Sequence, residues 1–232
     1  MGTIIVLPET TRQPITLIGQ RAGICWNADT SDAKNNYQRG LDCIQSGHLR
    51  TTEFVNVELV IEGYSARVIR EYYTHIYGYE NNEPPTRLQA STRYINYSDF
   101  DYVTPESIRK LPAASAIYDL CMSQISQNIA DLVRLYDIPR EDVALLLPLG
   151  MTTKMVDKRV LRSFIDMSRQ RKCQRANWEF RDMFSDIEKA LFGYSDEWKW
   201  VVENCFYPKC AETGVCREKK GCGMYPKASE ME

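Results

Sequence analysis

Hydrophobic and polar positions divide the chain into segments of different period. Across residues 55–62 the alternation is clean: Val55, Val57, Leu59 and Ile61 fall on one side, Asn56, Glu58 and Glu62 mostly on the other. A period of two is that of a half-buried strand. The short apolar run 4–7 predicts an opening strand, and the Thr-, Tyr- and Ile-rich residues 88–97 predict a further extended segment. Elsewhere the period is helical. Residues 31–46 align Tyr37, Leu41 and Ile44, with Gly47 where a helix commonly ends. Gly63 breaks the strand, and Ser65 caps a helix running to about Ile76. Residues 113–136 form a long amphipathic pattern, with Ile117, Cys121, Ile125, Ile129, Leu132 and Tyr136 near one face.

Proline and loop signals complete the map. Residues 77–87 carry Asn81, Asn82 and Pro84-Pro85 and read as a loop. Thr104-Pro105-Glu106 predicts a helix start, with a capping hydroxyl and Pro in the first turn. Pro139 opens a short helix that ends before Pro148. Residues 156–170 read as a helix aligning Val156, Val160, Phe164 and Met167, and residues 178–192 as another. The expectation is one α+β domain over residues 1–204, followed by a Cys-rich tail over 205–232.

Composition narrows the classes. The chain has 232 residues, 44% of them hydrophobic, enough for one large packed domain. A formal net charge of -2 argues against a nucleic-acid partner, which usually leaves a basic footprint. No run is long and apolar enough to span a membrane, and no basic stretch precedes an apolar one at the N-terminus, so the expected location is the cytoplasm. Of eight cysteines, Cys25, Cys43, Cys121 and Cys173 are scattered and read as buried small side chains or free thiols. Cys205, Cys210, Cys216 and Cys222 crowd the tail. Four thiolates would suit zinc, but structural zinc sites use tight pairs and these spacings are wider. Reduced thiols are therefore expected, with no metal, and a regulatory disulfide is the alternative.

The candidate chemistry lies in three neighbourhoods. Residues 162–181 are dense in guanidinium groups: Arg162, Asp166 and Arg169 recur at helical spacing, and Arg171 and Arg175 are one turn apart. Arginines bracketing single acidic and amide groups suit bidentate recognition of phosphate or carboxylate, although charge runs are more often solvated faces. Ser91 and Arg93, two apart on an extended segment, point to one side and form a candidate phosphate clamp. Ser46-Gly47-His48 is followed by Glu53; His48 and His75 are the only histidines.

Taken in order, these segments resemble the flavin-dependent thymidylate synthases from about Gln38 to the tail. Gly47-His48 with Glu53 resembles the family's Gly-His segment. Ser91-Thr92-Arg93-Tyr94 resembles the end of its signature, and Leu147-Pro148-Leu149 its Leu-Pro-Leu. Arg162-Ser163 through Arg171 to Ala176-Asn177-Trp178-Glu179 resembles its Arg-Ser…Arg…Ala-Gln-Trp-Glu pattern.

The resemblance implies an antiparallel sheet flanked by helices, assembled as a homotetramer with shared active sites. It implies methylation of dUMP with FAD, NADPH and methylenetetrahydrofolate, and no cysteine nucleophile. Gln89, Ser91 and Arg93 would hold the nucleotide. Arg171 would face the uracil and stabilise charge. His48, Glu53, His75, Arg162 and Asp166 would line the flavin.

There are departures from the family pattern. Thr74-His75-Ile76 stands where it has Arg-His-Arg, Glu71 where Gln is common, Val160 where Asn is common, and Ala144 where Arg is frequent. Each lost charge-assisted bond to phosphate costs about 1.5–3 kcal/mol, unless Arg67, Arg70 or Arg87 substitutes. A paralogue acting on another pyrimidine nucleotide and a non-catalytic nucleotide-binding protein are the alternatives.

Overall fold

The structure, a computed structural model, describes residues 2–76 and 85–230. Most of the loop expected at 77–87 lies outside the described residues. Four strands form one antiparallel sheet in the order β1 (Thr3–Val6), β2 (Asn56–Ser65), β4 (Thr152–Val160), β3 (Thr86–Gln89). The alternation read in β2 is the one observed: Val55 just before it, then Val57, Leu59 and Ile61, are fully buried. Gly63 does not end the strand. Its φ of 78° accompanies a slip in pairing between Glu62 and Tyr64, and the strand resumes to Ser65.

β4 corrects the helix expected from residue 156. Its buried positions are Thr153, Met155, Asp157 and Arg159, whereas Lys154 and Lys158 face outward and pair with Glu62 and Glu58 across β2 at 3.1 and 3.4 Å. Two charged residues on the inward face disguise the period of two. The helix starts only at Leu161. β3 is likewise shorter than the extended segment expected over 88–97. After Gln89 the Ser91 hydroxyl accepts from the Arg93 N–H at 3.2 Å, and the chain turns.

Helices cover the sheet. α1 (Pro14–Cys25) and α2 (Ala33–Gln45) pack so closely that a Cβ on Gly19 would lie 1.8 Å from the Asn36 carbonyl oxygen. α3 (Ala66–Tyr73) is capped by Ser65, whose hydroxyl accepts from the Val68 N–H, and stops short of Ile76. α4 (Glu106–Arg109) begins after Pro105 as N-cap, without a bond from the Thr104 hydroxyl. α5 (Pro112–Tyr136) is followed by α6 (Arg140–Val143), α7 (Leu161–Arg171), α8 (Trp178–Phe192), α9 (Asp196–Cys205) and α10 (Lys209–Thr213).

The main core joins β2, α7, α8 and α9 through Leu59, Phe164, Phe184 and Trp198. The Trp198 indole donates to the Thr11 carbonyl at 2.7 Å, tying α9 to the N-terminal segment. A second cluster around Met122, Ile129 and Val143 sits under α5. Only part of the expected face of α5 is buried in one chain: Ile129 is covered, whereas Ile117 and Tyr136 are 66% and 69% exposed. The architecture is the antiparallel sheet flanked by helices that the motifs implied.

Candidate ligand site

Arg171 ends α7 and meets the end of α3. Its Nε donates to His75 Nε2 at 2.7 Å, and its Nη1 to Glu71 Oε2 at 3.0 Å. The guanidinium lies 4.4 Å from the centre of the Phe180 ring, whose edge also meets His75. Accepting at Nε2 requires a neutral imidazole with its proton on Nδ1. Burial, then the charges of Arg171 and Arg159, pull the His75 pKa down to about 3, so this state holds at neutral pH. The other Glu71 oxygen accepts from Asn177 Nδ2 at 2.9 Å, and the Asn177 side-chain Oδ1 caps α8 by accepting from the Glu179 N–H.

A buried framework supports this corner. Glu179 accepts from both the N–H and the hydroxyl of Ser65, docking the start of α3 on α8. Asp157 and Arg159 are fully buried and paired through two bonds, at 2.6 and 2.8 Å. The Tyr72 hydroxyl donates to Asp157 at 2.8 Å, and Arg159 Nη1 donates to the His75 carbonyl and the Ser163 hydroxyl. Such a pair survives burial only when its remaining donors and acceptors are satisfied, as they are here.

A cleft of about 460 Å³ opens between the turn that follows α7 and the tail. Arg171, Arg175, Lys209 and Arg217 line it, against the single carboxylate of Glu218. Arg175, Lys209 and Arg217 have no ion-pair partner among the described residues. Cys173, Cys210, Cys216 and Cys222 also line the cleft, whereas Cys205, grouped with the tail thiols by sequence, is buried in the main core. Burial pushes the Cys205 thiol up to about 12; burial raises that of Cys210 as well, with smaller contributions from the other three cleft thiols. Among the described residues no three His, Cys, Asp or Glu side chains are arranged to hold a metal ion.

The remaining residues singled out by sequence fall into separate groups. Asp166 bridges Arg162 at 2.8 Å and Arg169 at 2.9 Å on α7. His48 is exposed before the 3-10 turn Leu49–Phe54, which holds half-buried Glu53 and packs on α7. Gln89 accepts from the Tyr73 hydroxyl at 2.8 Å and donates to Thr153 at 3.2 Å. Arg93 pairs with Glu141 at 2.7 Å on the surface. Among the described residues no hydrogen bond or ion pair joins Ser91 or Arg93 to Arg171. Sequence reasoning did not pick out Glu71 as a partner of Arg171, nor Asn177 as the residue that holds Glu71; the one local signal was that Glu71 and His75 are four apart on a predicted helix.

Fold and site together define an α+β protein that presents a fixed arginine beside a cationic cleft, the arrangement of a binder of anionic ligands. The chain belongs to the thymidylate synthase complementing protein family, whose sequence pattern matches residues 6–192. The resemblance seen in the motifs is thus borne out. The flavin-dependent thymidylate synthase of Nitratidesulfovibrio vulgaris is 28% identical over 200 residues, covering 81% of this chain and 76% of that protein. That of Clostridium tetani is 25% identical over 264 aligned positions, covering 100% of this chain and 96% of that protein. A crystal structure of thymidylate synthase X from Helicobacter pylori with FAD and dUMP shares the fold, with a TM-score of 0.65 and 16% identity, over 89% of this chain and 99% of that one.

Proposed function

We propose that the protein is a flavin-dependent thymidylate synthase that methylates C5 of dUMP, with methylenetetrahydrofolate as methylene donor and FAD recharged by NADPH. The observation that carries this reading is the Arg171 guanidinium, held along one edge and lining a cation-rich cleft, in a chain matched to the family over residues 6–192. The relatives named above carry that activity in their names, and the Helicobacter pylori enzyme was crystallised with FAD and dUMP. The residues fit anionic ligands: Arg175, Lys209 and Arg217 are free to oppose phosphate charge. When bound, the reduced flavin supplies the hydride.

In this reading Arg171 opposes the negative charge that builds on the uracil ring, a preorganised electrostatic contribution. Ser91 and Arg93 bind the nucleotide phosphate, with Gln89 beside them. His48, Glu53, His75, Arg162 and Asp166 line the flavin. The proposal includes a homotetramer with shared sites. Two observations support it: Ser91 and Arg93 do not meet Arg171 within one chain, and Ile117, Leu120, Leu135 and Tyr136 stand exposed on α5. Residues 205–232 are a tail that follows the 1–204 synthase domain, anchored by Cys205 in the main core, and Lys209, Cys210 and Arg217 of this tail line one side of the cleft. The protein acts in the cytoplasm with no nucleic-acid or membrane partner; no described helix is long and apolar enough to cross a membrane.

The test is direct. The purified protein is loaded with FAD, its spectrum is recorded before and after dUMP, and dTMP is measured with NADPH and methylenetetrahydrofolate present. A flavin spectrum that changes with dUMP, together with dTMP formation, is expected. Protein that takes up no FAD, or flavoprotein that forms no dTMP, overturns the reading.

A further inference from the structure

Glu71 lies in the last turn of α3 and His75 two residues past its end, and both side chains reach the same neighbour. That neighbour is Arg171, and they take hold of one edge of it: His75 accepts from Nε and Glu71 from Nη1. Phe180 covers a face of the same group at 4.4 Å. Two bonded points and a stacked face fix the orientation of a planar guanidinium. Nη2 is left without a protein partner among the described residues. A free arginine must be ordered when its ligand arrives; this one is ordered beforehand.

The clamp is itself held. Asn177 bonds the second Glu71 oxygen while capping α8, and Arg67 lies 3.8 Å from that oxygen. The His75 carbonyl accepts from buried Arg159. We propose that Glu71 and His75 are positioning residues: they hold Arg171 so that its Nη2 side meets the reacting pyrimidine. This inference rests on the proposed function, and it gives His75 a different task from direct contact with the flavin. Glu71 has a task that needs no contact with substrate. The neutral imidazole suits the clamp, because a protonated His75 would present a donor to a donor.

Three proteins test it: wild type, Glu71→Leu and Glu71→Gln, each loaded with FAD. The measurements are dTMP formation per bound flavin at varied dUMP, dUMP binding by calorimetry, and melting temperature. Glu71→Leu is expected to lower kcat by about 100-fold while KM for dUMP moves less than about 3-fold. Glu71→Gln keeps an acceptor for Nη1 and is expected to stay within about 10-fold of wild type in kcat. A purely structural role for Glu71 would lower the melting temperature and leave kcat per flavin intact. Glu71→Leu with kcat within about 3-fold of wild type therefore overturns the positioning claim, whatever its melting temperature. Should that variant not fold, Glu71→Ala, which favours the helix, gives the same reading. Wild type that neither binds dUMP nor forms dTMP overturns the substrate reading and this inference with it. Wild-type turnover matched by the Leu variant refutes the positioning alone.

Discussion

The corner around Arg171 and the turn carrying Ser91 and Arg93 hold their arginines in opposite ways. At the corner the polar groups other than Arg171 Nη2 are tied inward: Arg171 to Glu71 and His75, Glu71 to Asn177, and His75 through its carbonyl to the buried Asp157–Arg159 pair. At the turn, Arg93 meets a surface carboxylate and the exposed ring of Tyr94; its side chain is 63% exposed and that of Glu141 52%. A planar cation anchored through a buried framework is preorganised by the chain itself. One on an exposed turn is ordered by whatever binds it, a ligand or a second copy. In the proposed site these would be a rigid half and an adaptable half, which would suit a reaction needing fixed electrostatics at the ring and only a grip on the phosphate.

Removing the framework is the severest way to break this contrast. Asp157→Ala leaves Arg159 charged, buried and without its carboxylate, and is expected to cost about 3–5 kcal/mol of unfolding free energy, read by denaturant titration. Acid is a gentler probe. Unfolded His75 takes up a proton near pH 6.5, but the folded state does so only at about 3. Between those values the unfolded chain binds more protons, so the His75 contribution to stability is full above about pH 6.5 and is lost as pH falls toward 3. His75→Asn is expected to flatten that part of the stability profile; an unchanged slope would contradict the buried neutral imidazole.

On the adaptable side, Ser91→Ala is expected to raise KM for dUMP about 10-fold, the loss of one bond to a charged group, with flavin affinity unchanged. Unaltered dUMP affinity would remove Ser91 from the phosphate site. The smallest effect belongs to Glu141→Ala: breaking its exposed pair with Arg93 should change stability by less than about 1 kcal/mol. A larger change would show the turn to be as rigid as the corner and erase the distinction.

What the sequence revealed depended on how faithfully polarity tracks burial. β2 was readable because its inward positions up to Ile61 are all aliphatic, and α8 was readable over its full length, Trp178–Phe192. β4 was misread because Asp157 and Arg159 face inward and satisfy each other there, inverting the usual pattern. α9 has no counterpart among the expected elements although Trp198, Val201 and Cys205 follow helical spacing; its last buried position is a cysteine that the sequence groups with the tail. In the site, Arg171 was visible through its motif. Its clamp was not, since Glu71 and His75 lie 100 and 96 positions from Arg171 and meet it only in the folded chain. The tail thiols show the same limit: Cys173, remote in sequence, lines the cleft, and Cys205 does not.

The most direct test is dTMP formation by Arg171→Ala loaded with FAD, compared with wild type at saturating dUMP. Loss of turnover by about 100-fold or more, with flavin still bound, is the expected result. Near-normal turnover in that variant would contradict the account, because no other guanidinium among the described residues is held by the Glu71–His75 clamp.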